Sequence, residues 1–171
     1  MVPASYMEFM ITAAGAAGAM IGLLFVAVSL RTEAVFGPSA PPKARTLAGS
    51  SFTGLVNAFS ISLLAIVPKT NIGVAMIILS LVCLYSTWTL QARTLQQNPQ
   101  YELLVLSCLT YVAQFSGGVA LLARPHLTWI VNGLCYVIFA SFVIALTRAW
   151  PLIQGEASTR LYPENLSLIH I

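Results

Sequence analysis

Phe9-Met-Ile-Thr-Ala-Ala-Gly-Ala-Ala-Gly-Ala-Met-Ile-Gly-Leu-Leu-Phe-Val-Ala-Val-Ser-Leu30 holds no charge and no proline. A helix rises about 1.5 Å per residue and a bilayer core is about 30 Å thick, so this run is long enough to cross it. Its first half is nearly all Ala and Gly, and its second half is bulky. Ala14, Gly18 and Gly22 recur every fourth residue and form one smooth stripe on a helix. The stretch reads as a membrane helix that its neighbours approach closely.

The rest of the chain agrees with that solvent. Of 171 residues, 58% are hydrophobic and only 8% charged, with a mean hydropathy of +0.85. A soluble domain carries roughly 25% charged residues to keep its surface in water. Five segments are long and apolar enough to span: Phe9–Leu30, Leu47–Val67, Ile72–Leu90, Leu103–Ala123 and Leu127–Ala149. The alternation of barrel strands is missing. The predicted class is all-α: a polytopic bundle of five transmembrane helices forming a single domain over residues 1–151, with a C-terminal tail at 152–171. Residues 161–171 read unlike the rest. Leu166-Ser-Leu-Ile-His-Ile171 resembles translated sequencing adapter, so no functional role is expected of this tail or its His170.

The N-terminus has no Lys or Arg, so the positive region of a signal peptide is absent and the first span is expected to stay in the mature protein. Ser5 and Glu8 have capping-box spacing, which makes Glu8 a helix-start residue. Phe36 to Arg45, with Gly37, Pro38, Pro41 and Pro42, is the longest predicted loop, and Pro42 suits the first turn of the next helix. In the second span Ser50, Gly54, Ala58 and Ser62 share one face. The short Lys69-Thr-Asn71 turn makes the second and third helices antiparallel neighbours. Asn98-Pro99 looks like the start of the fourth helix. Tyr85, Trp88, Trp129 and Trp150 stand toward span ends, where interfacial aromatics belong. All nine prolines fall outside the predicted spans, which leaves Gly117-Gly118 as the one weak point, read as a close-packing site.

Lys and Arg beside the spans set orientation. With the N-terminus outside, Arg31, Lys43, Arg45, Arg93, Arg148 and Arg160 lie inside, and only Lys69 and Arg124 lie outside. The expected topology is N-out/C-in.

Catalysis needs groups that attack or change protonation. The chain has no Asp, and its five Glu all lie at helix ends or in loops. No His lies within a span. Aspartyl and His-Glu-x-x-His intramembrane proteases are therefore excluded, and no enzymatic role is expected. Cys83, Cys108 and Cys135 fall one to a span without Cys-x-x-Cys spacing and read as small apolar packing residues. His126 and Cys135 give too few ligands for a metal. No cofactor is expected. The basic residues are scattered, so nucleic acid is not an expected partner; the bilayer is, with a second copy or another membrane protein as further partners.

One constellation stands out. Asn57 lies near the middle of the second span, Tyr111 and Gln114 near the middle of the fourth, Tyr136 near the middle of the fifth, and Asn132 nearer the outer face. Amides replace part of a solute's hydration shell, so such a cluster suits a narrow polar path. Asn, Gln and Ser also hold membrane bundles together, at an average of about 0.6 kcal/mol per hydrogen bond. Both readings stay open from sequence. The stripes Ala14/Gly18/Gly22 and Ser50/Gly54/Ala58/Ser62 are expected to let the first two spans meet. The leading functional expectation is a structural or accessory helix-packing subunit. The alternative is a small channel or carrier for a neutral or weakly charged solute, lined by Asn57, Gln114 and Tyr111.

Gly15-Ala-Ala-Gly-Ala-Met-Ile-Gly-Leu-Leu-Phe-Val-Ala-Val-Ser-Leu-Arg31 and Phe52-Thr-Gly-Leu-Val-Asn-Ala-Phe-Ser-Ile-Ser-Leu-Leu-Ala-Ile-Val-Pro68 resemble stretches of small bacterial multi-pass membrane proteins usually recorded as hypothetical. The likeness runs to about Trp150. It implies a bacterial inner-membrane location and no activity.

Overall fold

The computed structural model describes residues 4–38, 40–95, 101–124 and 128–154. Among them the chain is all-α, with the helices α1 (Ala4–Ser29), α2 (Thr32–Phe36), α3 (Pro42–Ile66), α4 (Ile72–Leu95), α5 (Tyr101–Ala123) and α6 (Thr128–Gln154). All but the short α2 are long and apolar enough to cross a membrane. Leu23, Phe25, Leu30, Tyr85, Trp88, Leu109, Trp129, Phe139 and Trp150 turn outward. Such a surface suits lipid as its solvent, and the chain has the make-up of an integral membrane protein.

α3 is the centre of the bundle. It packs against α1, α4 and α6, and half of its most apolar stretch is buried. Its composition explains the position. Ser50, Ser51, Gly54, Ala58 and Ser62 are all buried, and small side chains admit neighbours on several sides at once. The Ser51 hydroxyl donates to the Leu47 carbonyl (2.8 Å), so its polar atom is satisfied within the helix.

The first two spans pack on each other, but only part of each small-residue stripe lies in that contact. A Cβ on Gly54 would touch the Ala145 Cβ and the Ser141 carbonyl, both at 3.4 Å, so this part of α3 faces α6. α1 meets α3 and α6 through Met10, Ala13 and Ala17, which pack with Ala58, Ile61, Ala65, Leu134 and Ile138. Farther along, Leu24 packs with Leu55, Ala145 and Ala149. Ala14 is buried, Gly18 lies under the Phe59 ring, and Gly22 is exposed, with open space where a Cβ would stand. The four-residue spacing drifts around an α-helix, because 3.6 residues make a turn. That drift carries Gly22 off the contact.

The tightest crossing joins α4 to α5. A Cβ on Gly73 would lie 2.9 Å from the Gly118 carbonyl, and one on Gly118 would lie 2.8 Å from the Gly73 carbonyl. Gly117 lies against Met76. The glycine pair is thus a site of backbone contact. The preceding turn holds Lys69 at φ 62°, and Asn71 accepts the Val74 N–H (3.4 Å) at the start of α4.

Several helix limits differ from the sequence reading. The helix is already formed at Ala4, so Ser5 lies inside α1 and is not its cap. The segment just ahead of the predicted 36–45 loop forms the short α2, whose Val35 packs on Ala44, Leu47, Ala48 and Leu152. Pro42 opens α3. α6 runs through Pro151 to Gln154. So close to a C-terminus a proline removes a single donor, and the Arg31 Nη1 donates to the Leu152 carbonyl (3.1 Å), one of the last-turn acceptors that helices leave open. The Asn98-Pro99 start, His126 and the tail from residue 155 lie outside the described residues.

Candidate functional site

Residues at helical spacing on α3 build a polar seam. The Thr46 hydroxyl reaches the Leu90 carbonyl of α4 (3.5 Å), Gly49 lets the Leu90 side chain close in, and Thr53 and Ser86 hydroxyls lie 3.4 Å apart. One turn farther on stands Asn57. Its Nδ2 donates to Gln114 Oε1 of α5 (2.8 Å), and Gln114 Nε2 donates back to Asn57 Oδ1 (3.2 Å). Gln114 Nε2 also donates to the Met76 carbonyl of α4 (3.3 Å). A reciprocal amide pair therefore ties three helices at mid-depth. Asn57 is 1% exposed and Gln114 is 0% exposed.

Tyr111 lies one turn before Gln114 on α5. It is buried and neighbours Thr87, Cys83, Cys108 and Arg148. Arg148 is 2% exposed, and its Nη2 donates to the Ser107 hydroxyl of α5 (2.5 Å). The sequence reading placed Arg148 at the inner end of the fifth span as an inside charge; the structure buries its side chain within the bundle. α6 continues past it, so the guanidinium turns between α5 and α6. A buried, hydrogen-bonded charge inside a bundle is costly to place and so cross-links strongly once in place. The signal in sequence was Arg148 before Trp150 and Pro151, which also reads as a span end.

The other two members of the expected cluster go elsewhere. Asn132 is exposed on α6, where its Oδ1 accepts from the Tyr6 hydroxyl of α1. Tyr136 is 75% exposed and faces away from the bundle. The structure brings Asn57, Tyr111 and Gln114 into one interior and leaves Asn132 and Tyr136 on the outer surface.

Comparison with family models, with curated proteins and with solved structures finds no match.

Two grooves on the outer surface, of about 400 Å³ beside Leu64, Val74 and Ile78 and of about 120 Å³ beside Leu23, Leu55 and Leu146, are apolar. Neither is lined by Asn57, Tyr111 or Gln114. The amides bond to each other and to backbone. Among the described residues the buried Ser62 hydroxyl has no hydrogen-bond partner. Among the described residues no group of three or more His, Cys, Asp and Glu gathers as a metal site.

Proposed function

We propose that this chain is a multi-pass protein of the bacterial inner membrane, N-terminus outside and C-terminus inside, serving as a structural or accessory subunit rather than as an enzyme or a conduit. The observation that supports this most is the reciprocal bonding of Asn57 and Gln114. A solute path at that depth would need those amides turned toward water. They are instead engaged with each other and with the Met76 carbonyl, as interhelical links are. The orientation rests on Arg31, Lys43, Arg45 and Arg93 at one end against Lys69 and Arg124 at the other, with Arg148 now counted inside the bundle.

A packing role toward a second copy or another membrane protein draws support from α1. Its outward face carries Thr12, Gly15, Ala19 and Gly22, all exposed, and a Cβ on Gly15 or Gly22 would meet nothing within 4 Å. The test is flux of small neutral solutes into liposomes holding wild type or Asn57→Leu. The reading expects no flux from either and a lower unfolding temperature for the variant. Flux that the wild type shows and the variant loses would replace it with the carrier reading.

A further inference from the structure

We propose that the connection between α1 and α3 is a docking surface for the phosphate of an anionic phospholipid head group. Arg31, Lys43 and Arg45 are all exposed, and the acidic residue among them is Glu33 alone. They surround one small apolar cluster, in which Val35 packs on Ala44, Leu47, Ala48 and Leu152. Two of the three are fixed in place. Arg45 Nη2 donates to the Phe36 (3.0 Å) and Gly37 (2.9 Å) carbonyls, and Arg31 Nη1 donates to the Leu152 carbonyl. Each of these bonds uses one terminal nitrogen of a guanidinium that carries five N–H donors. The remainder is presented outward from a held position, which limits the side-chain entropy lost on binding.

The surroundings specify a lipid over a soluble anion. Leu30 and Phe36 flank the cations and are exposed, while Val35 between them is buried. The segment thus offers apolar side chains and positive charge together, at the level where acyl chains meet head groups. At the opposite end the exposed Lys69 and Arg124 stand singly in separate turns. The charge complementarity is therefore one-sided. This inference is independent of whether the bundle acts as a subunit or a carrier.

The test uses the full chain, reconstituted in vesicles of equal phosphatidylglycerol and phosphatidylcholine and extracted with its lipid shell for mass spectrometry. Wild type is expected to retain at least about threefold more phosphatidylglycerol than phosphatidylcholine, given about tenfold per 1.4 kcal/mol and several basic residues near the surface. Lys43→Gln and Arg45→Gln should each lower that ratio by about half or more, and Lys69→Gln should leave it unchanged. Lys43 makes none of the fixing bonds, so its variant reads charge alone even if Arg45→Gln loosens the turn. Equal retention of the two lipids, an unchanged ratio in Lys43→Gln, or an equal loss in Lys69→Gln would overturn the proposal.

Discussion

Asn57 and Gln114, 57 residues apart in sequence, hold each other's side-chain amide in the middle of the bundle. Each is the other's main hydrogen-bond partner, and both are fully buried. Removing one leaves the other buried with fewer bonds, at a cost of about 1–3 kcal/mol. Asn57→Leu and Gln114→Leu should each lower stability by about that much in denaturant titrations in mixed micelles. The double variant should lose less than the sum of the two, by about 0.5 kcal/mol or more, because both unsatisfied groups are then gone. Strict additivity would show that the two amides do not act as a pair.

Glycines at two kinds of place should respond in opposite ways. At Gly73 or Gly118 an added methyl meets the facing backbone at less than 3 Å. Ala there must push α4 and α5 apart, and about 1–3 kcal/mol is expected to be lost. At Gly15 or Gly22 the methyl meets open space. Ala there should be neutral or raise stability by up to about 1 kcal/mol, through helix propensity. A loss at Gly15 or Gly22 in the monomer would mean that its surroundings are not as open as described.

Arg148 and Ser107 supply a third expectation. A hydrogen bond to a charged group contributes about 1.5–3 kcal/mol, and a buried one is little screened. Ser107→Ala should lower the unfolding free energy by about that range. The loss should persist when salt is raised from about 0.05 to about 0.5 M. A loss that vanishes with salt would place the guanidinium at the surface.

The spans were legible in sequence because each holds some 20 residues of nearly unbroken apolar character, the length that crosses hydrocarbon. The close α3–α4 pairing was legible because Pro68 to Asn71 leaves no slack. Which side of a span turns inward was not. In lipid, Leu or Ala suits the interior and the exterior alike, so hydropathy carries little rotational information. Gly22, Asn132 and Tyr136 were read as facing inward for that reason, and all three are exposed. Asn57 and Gln114 were legible as polar groups at matching depth, but their bonding needed the register of α3 against α5. Arg148 was missed because its position a few residues before the end of α6 fits a surface anchor as well as a buried link.

The most direct check is water access to position 57. In a background with Cys83, Cys108 and Cys135 replaced by Ala, Asn57→Cys and Lys69→Cys would each be exposed to a membrane-impermeant thiol reagent in intact vesicles of both orientations. The account predicts ready labelling at position 69 and none at position 57, because the middle of the bundle is closed by side chains. Labelling at position 57 comparable to that at position 69 would mean that water reaches the amide pair, and the interior would then be a path.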